Sequence, residues 1–443
     1  MKKIILGLLV VASLYACKNK SDYKTFVHDP ILFTNTVHEL NSVVMGNNFP
    51  PMIAARNYAY AAIAAYEVIA AGYPNQYQSL AGQLHGLTEL PKPQAGQPID
   101  FEFAALLSYI KVGESVTFPE GSLKQYKDSI VNLAKDKGLP SDVENASQLF
   151  ADTISAVIIN WSKNDNYAKT RGAEKYNVIE SDPSRWVPTP PGYFPATEPH
   201  WKEIRTMVLD SANLYTPPVP FKFNVTDKNS DYYKQVMQIK KNAIDSLTDE
   251  QKHIADFWDD NAFKLNVTGH AMFGSKKFSP SGHWMSVVGI ACKNSKADYP
   301  TTVYAFAKTS IALFDAFISC WWAKYTYNTV RPETVINRYF DANWRPYLQT
   351  PSFPEYTCGH CTISASAAES LTSVFGDNLP YTDSTELEFG IKNRSYKSFR
   401  DAANENIFGR FYGGIHYYPS NVIAHGLGTK IGDYVVQKLK MKK

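Results

Sequence analysis

The chain has 443 residues, 44% of them hydrophobic and 20% charged, and a formal net charge of +3. This is globular composition with enough apolar material for a large core, and a near-neutral balance without a long Lys/Arg run leaves no electrostatic footprint for nucleic acid. The 28 Tyr, 24 Phe and 8 Trp suit a wide core and an aromatic-lined pocket.

The first element in chain order is a leader. Lys2 and Lys3 precede an apolar run from Ile4 to Leu14, too short to span a bilayer and right for a secretory signal. Residues 1–16 are predicted as a signal peptide. Leu14-Tyr15-Ala16-Cys17 resembles a bacterial lipobox, with Cys17 as the lipidated first mature residue and 17–28 as a polar tether; the plainer alternative is an ordinary signal cut near Ala16. Either reading exports the protein, and the first anchors it by lipid in a bacterial envelope, periplasmic or at the cell surface. No later stretch reaches about 18 uninterrupted apolar residues, so no membrane-spanning helix is predicted after the leader.

From residue 29 to 443 the pattern is helical almost throughout. The spacing of Ile53, Tyr58, Ile63, Tyr66 and Ile69 predicts a helix over Pro51 to Ala71, stopped by Gly72-Tyr73-Pro74. Further helices are predicted at Phe101 to Lys111, Leu123 to Lys137 and Ser141 to Lys163. Ser181 to Phe223 is Pro-rich and aromatic; it reads as an irregular excursion over the helices with one short helix at Trp201 to Asn213. Helices resume at Ser230 to Leu247 and Asp249 to Asn261. The apolar Thr301 to Thr329 is expected to be central, and Thr362 to Phe375 is rich in Ala and Ser, which lets helices approach closely. Phe399 to Phe411 and Asn421 to Leu439 close the chain. No run of alternating strands stands out. The fold class is all-α, one large helical bundle over 29–443.

Three clusters carry chemistry: Lys324 with Arg331-Pro332, Cys358-Gly359-His360, and Arg410 with His416. Taken singly, the bland readings are a solvated helix end, a structural histidine and a charged loop. Together they supply three fixed cations and two imidazoles within about 90 residues, an inventory for a tetrahedral oxyanion. Lys324 and Arg331 are seven apart and would point the same way from one helix, ended by Pro332. A helix starting near Cys361 or Thr362 would present free N–H groups at Gly359, and His360 could move protons near neutral pH. Gly413-Gly414 would break a helix after Arg410 and let His416 turn back toward it.

The order and spacing of these clusters resemble those of the vanadium haloperoxidase and acid phosphatase superfamily. Trp258-Asp259-Asp260-Asn261, Gly269-His270 and the helix beginning Pro50-Pro51 resemble segments of its bacterial haloperoxidases, so the resemblance covers most of the mature chain, chiefly about 255–430. It implies a vanadate cofactor bound to His416 as axial vanadium ligand, with Lys324, Arg331, Arg410, Cys358 and Gly359 holding its oxygens. It implies His360 as proton-transfer residue, Lys324 as the group polarising the oxidant, and hydrogen peroxide and halide, iodide first, as substrates of a peroxidase releasing hypohalous acid. Trp321, Trp322 and Phe353 are assigned to the halide pocket. The alternative on the same constellation is an exported acid phosphatase, with His416 as phosphoryl acceptor and His360 as general acid.

Two positions depart from the family. Cys358 stands where Ser is usual, and a thiol donates more weakly than a hydroxyl. Ser420 stands where the family often has an Asp orienting the last histidine; Asn421, Asp401 or a backbone carbonyl would have to replace it. Two further motifs are set aside. Pro280-Ser281-Gly282-His283 spells the central motif but out of order. Cys358-Gly359-His360-Cys361 spells a disulfide-isomerase tetrad, but without the strands of that fold and with Thr357 in place of Trp. Cys292, Cys320, Cys358 and Cys361 leave disulfide pairing open, a Cys358–Cys361 bond included.

Overall fold

The computed structural model describes residues 22–443; the leader and Cys17 lie outside them. The described residues form fifteen α-helices and two small hairpins. A first group comprises α1 (Asp22–Val27), α2 (Pro30–Gly46), α3 (Pro51–Gly72), α4 (Phe101–Val116), α5 (Lys124–Asp136), α6 (Ser141–Ser162) and α7 (Tyr167–Arg171). Every residue of α3 from Met52 to Ala70 is buried. A helix apolar on all sides belongs inside a bundle, and its alanines let α4, α6 and α11 (Tyr299–Tyr327) pack around it.

α11 is the axis of the molecule. Asp298 caps its N-terminus by accepting from Thr301 N, and Pro300 occupies a first-turn position where no amide hydrogen is needed. It is long and apolar enough to cross a membrane, yet its most apolar window is wholly buried by protein. Of the later helices, α10 (Pro280–Ser295), α13 (Gly359–Phe375) and α15 (Tyr418–Lys438) pack on it; α14 (Phe399–Tyr412) joins them through α13 and α15, α9 (Asp249–Phe257) packs on α14, and α8 (Asp231–Lys240) with α12 (Pro332–Tyr339) forms a pair beside α15.

α13 and α15 pack along their length. A Cβ at Gly428 would lie 2.0 Å from Thr362 O, and one at Gly432 would lie 2.8 Å from Ser366 O. The small residues predicted on α13 thus meet glycines on α15, and backbone rests on backbone.

The Pro-rich excursion is irregular, as predicted, but its short helix shrinks to a single 3-10 turn at Trp201–Glu203. The reason is a competing acceptor. The buried carboxylate of Asp315 on α11 accepts from Met207 N (2.7 Å), Val208 N (2.8 Å) and Leu209 N (2.9 Å). Those amides are therefore lost to a helix.

Four short strands were not anticipated. β1 (Lys264–Thr268) and β2 (Ala271–Ser275) form one antiparallel hairpin, and β3 (Tyr381–Asp383) and β4 (Arg394–Tyr396) another. β2 is exposed along its whole length, so it never needed the alternation that marks a half-buried strand.

Candidate active site

The three clusters meet where α11 ends, α13 begins and α14 turns into α15. The route differs from the sequence reading at the first. α11 stops at Tyr327 with Asn328 in the left-handed region (φ 51°). Arg331 caps α12, and Pro332 opens that helix instead of closing the previous one. Lys324 and Arg331 thus come from two helices. Both are fully buried, and both lie 4.9 Å from the Phe353 ring centre. Lys324 Nζ donates to Pro354 O (3.0 Å) and Glu355 O (3.1 Å). Burial pushes its ammonium down to about 7 and the Arg331 guanidinium down to about 9.

α13 begins two residues earlier than expected, at Gly359, with Cys358 as cap. Cys358 Sγ accepts from Cys361 N (3.2 Å) and is bonded to Cys361 Sγ. The disulfide sulfur has no hydrogen to give, which corrects the expectation of Cys358 as a weak donor to the oxyanion. Cys292 and Cys320 are buried free thiols. At Gly359 a Cβ would come within 3.6 Å of Trp321 and 3.9 Å of Lys324.

Arg410 sits in the last turn of α14, and Gly414 (φ 76°) reverses the chain before His416. Here the sequence reading holds. Arg410 Nη1 donates to Trp258 O (2.5 Å) and Asp259 O (3.1 Å), so the resembling Trp258-Asp259-Asp260 segment does belong to the site. Gly269-His270, by contrast, is the exposed turn of the β1–β2 hairpin.

His416 is oriented by a residue that the sequence did not single out. Glu355 Oε1 accepts from His416 Nδ1 (2.9 Å) and from Tyr417 N (3.3 Å). Neither Asn421 nor Asp401 takes this role. Asn421 Nδ2 donates to Ile407 O, and Asp401 accepts from Lys397 N at the head of α14. Glu355 lies 61 residues from His416 in the chain, and only the fold joins them. With the proton on Nδ1, His416 Nε2 carries the ring's lone pair. It accepts from Arg331 Nη1 at 3.1 Å. Burial holds the imidazole well below its ordinary pKa, assisted by Arg331, Lys324 and Arg410.

A small cavity is lined by Trp321, Phe353, Gly359, His360, Arg410 and His416. It adjoins a wider cleft of about 420 Å³ bounded by Phe49, Phe194, Phe263 and Asp260, to which His360 and Arg410 also contribute. Trp321 and Phe353 therefore reach the site, with ring centres 5.0 Å apart. Trp322 does not. One residue further round α11, about 100° away, it packs on Tyr327 instead.

Three buried polar atoms here lack a partner: Arg331 Nη2, Arg410 Nε and His360 Nε2. Buried donors are nearly always satisfied, and leaving cations unpaired is costly. Facing one cavity, the set offers its donors to an anion with several oxygens. Vanadate fits: cations for its charge, N–H groups for its oxygens and one imidazole lone pair for the metal.

Comparison with known proteins agrees. The family model described as the VCPO second helical-bundle domain matches residues 304–442, which include Lys324, Arg331, Cys358, Gly359, His360, Arg410 and His416. A crystal structure of a bacterial vanadium-dependent iodoperoxidase is 38% identical, with TM-score 0.87, over 93% of this chain and 97% of that one. Bacterial vanadium-dependent chloroperoxidase structures share the fold. The holo form is 16% identical with TM-score 0.66, covering 90% and 93% of the two chains; the apo form is 18% identical with TM-score 0.65, covering 88% and 93%. No curated protein sequence matches.

Proposed function

The chain belongs to the vanadium-dependent haloperoxidases, a family whose members take hydrogen peroxide and halide as substrates, and from that premise we propose that it oxidises iodide at the His416 site. The observation that carries the assignment of residues is the group of unpartnered Arg331 Nη2, Arg410 Nε and His360 Nε2 atoms around the His416 Nε2 lone pair, which only Arg331 Nη1 engages. The reading of iodide rests on the 38% identity to the iodoperoxidase. The phosphatase alternative has no such support.

Bound vanadate supplies a Lewis acid that activates peroxide without changing its own oxidation state. The chain's residues do the rest. His416 offers Nε2 as ligand, and Arg331 Nη1 must leave that lone pair when the ligand bond forms. Lys324, Arg331 and Arg410 neutralise the oxyanion's charge from fixed positions, so no reorganisation is needed during turnover. The Gly359 N–H adds a donor at the head of α13. His360 is half-buried at the cavity wall and held well below its ordinary pKa, first by desolvation and then by Arg410. It is therefore neutral at working pH and able to take a proton from peroxide. Trp321 and Phe353 exclude water from the inner cavity and leave an apolar approach for a large, weakly hydrated halide. We place the protein in the bacterial envelope, exported on residues 1–16 and held by a lipid on Cys17; its catalytic domain takes in α1 as well as 29–443, because Tyr23 and Val27 are buried in the core, so the tether expected over 17–28 is shorter by that helix.

The test strips purified protein of phosphate, titrates vanadate and follows triiodide formation from iodide and peroxide. Activity that saturates with vanadate and vanishes in His416→Ala is expected. Phosphoester hydrolysis inhibited by vanadate, with no iodide oxidation, would refute the assignment.

A further inference from the structure

The out-of-order Pro280-Ser281-Gly282-His283 is brought back to the site by the fold. Pro280 opens α10, Ser279 caps it by accepting from Gly282 N, and His283 in its first turn is completely buried. Its Nδ1 is 2.8 Å from Asp260 Oδ1, and its Nε2 is 2.9 Å from Asp383 Oδ2. A neutral imidazole has one donor and one acceptor, whereas carboxylates only accept. Two carboxylates on the two ring nitrogens therefore require an imidazolium. Trp258 stacks on the ring at 4.8 Å with planes 13° apart, and Phe257 meets it edge-on at 5.4 Å.

The other charged or titratable groups around it are few. Glu386, from the 3-10 turn after β3, has Oε1 3.7 Å from Nδ1. Lys277, which follows β2, has Nζ 3.5 Å from Glu386 Oε2. His360 of α13 has Nε2 3.8 Å from Asp260 Oδ2. Asp260, His283 and Glu386 could converge on a metal ion, but both His283 nitrogens are already bound to carboxylates, and the imidazolium is itself the cation. Burial opposes its charge, while Asp260 and Asp383 raise its pKa well above the ordinary value. Asp260 is held in the left-handed region (φ 43°), a conformation that needs support from its surroundings.

We propose that His283 is a positioning residue of the haloperoxidase reaction: clamped as an imidazolium between Asp383 and Asp260, it fixes the Asp260 carboxylate behind His360. The inference rests on the haloperoxidase reading above. When His360 takes a proton, the Asp260 carboxylate is the group already facing it, 3.8 Å away, and His283 keeps it aimed.

The test has two arms. In the vanadate-free protein, ¹⁵N-histidine NMR should show one buried ring that keeps both nitrogens protonated well above the pH at which an ordinary imidazole loses its proton, absent in His283→Gln; a neutral ring at that position would overturn the proposal. In the vanadate-saturated enzyme, His283→Gln should lower kcat/KM for peroxide roughly tenfold or more, on the scale of other orienting residues, with vanadate affinity within about threefold of wild type. Asp383→Asn removes one of the two anions that keep His283 charged. It should therefore move the alkaline limb of the kcat/KM profile to lower pH by about one unit, since the clamp exists only below the His283 pKa. Variants that lower the melting temperature but keep the wild-type kcat/KM and limb would make His283 purely structural and overturn the role. Wild-type protein inactive with vanadate would instead be a failure of the haloperoxidase reading.

Discussion

Glu355→Gln separates orientation from charge at the cofactor site. Glu355 fixes the His416 proton on Nδ1 at 2.9 Å, which leaves the lone pair on Nε2, the atom proposed to bind the metal. A glutamine can turn its NH₂ toward Nδ1, drive the proton to Nε2 and abolish the ligand lone pair. Replacing the partner of a metal-bound histidine costs roughly 10–100-fold in affinity, or about 1.4–2.8 kcal/mol. An opposing effect must be removed first. Glu355 also faces Arg331 and Lys324, and deleting its charge strengthens attraction for any oxyanion by an amount that can reach about 4 kcal/mol for close pairs near the surface. Phosphate feels that attraction but needs no nitrogen ligand. The quantity to measure is therefore the ratio of vanadate to phosphate affinity, by isothermal titration of phosphate-stripped protein. We expect the ratio to fall roughly 10–100-fold in Glu355→Gln. If both affinities move together and the ratio stays within about threefold, tautomer control by Glu355 is refuted.

Three other outcomes follow from the same geometry. Burial holds the Lys324 pKa near about 7, so the side chain is a cation below that pH and neutral above it; vanadate should draw a proton in when it binds at pH 8, with affinity falling as pH rises through 7, and equal binding heats in buffers of different ionisation enthalpy would contradict this. Cys358→Ser replaces a disulfide sulfur without hydrogen by a hydroxyl, and one charge-assisted hydrogen bond of about 1.5 kcal/mol should tighten vanadate binding roughly tenfold; unchanged affinity would mean that this position does not touch the oxyanion. Asp315→Ala strands three backbone amides, and at about 1 kcal/mol or more each urea denaturation should show a loss of about 3 kcal/mol; a loss below about 1 kcal/mol would show that the excursion over 181–223 is held elsewhere.

Cations and imidazoles were legible in the sequence because each cluster is local: Cys358-Gly359-His360 and the Gly413-Gly414 break announce themselves within a few residues. The partners were not. Glu355 and Asp260 reach His416 and His360 only through packing, and no spacing rule joins residues 61 or 100 positions apart. Pro332 was misjudged for a simpler reason. A proline ends one helix and begins another with the same lack of an amide hydrogen, and Arg331 moved from one to the other. The long helices were found by their period, and α13 by its small residues. The hairpin at 264–275 was missed because an exposed strand has no buried face to pattern.

The contact of α15 on α13 sets a tolerance on the catalytic centre. His360 lies two residues from Thr362, whose carbonyl oxygen is pressed against Gly428, and His416 lies twelve residues before that glycine. The separation of the two imidazoles is thus gauged by backbone touching backbone, without a side chain to yield. A single methyl at position 428 would have to displace the first turn of α13, and His360 with it. The alignment of the centre is calibrated from a point that touches neither cofactor nor substrate, by the one residue type that carries no side-chain carbon.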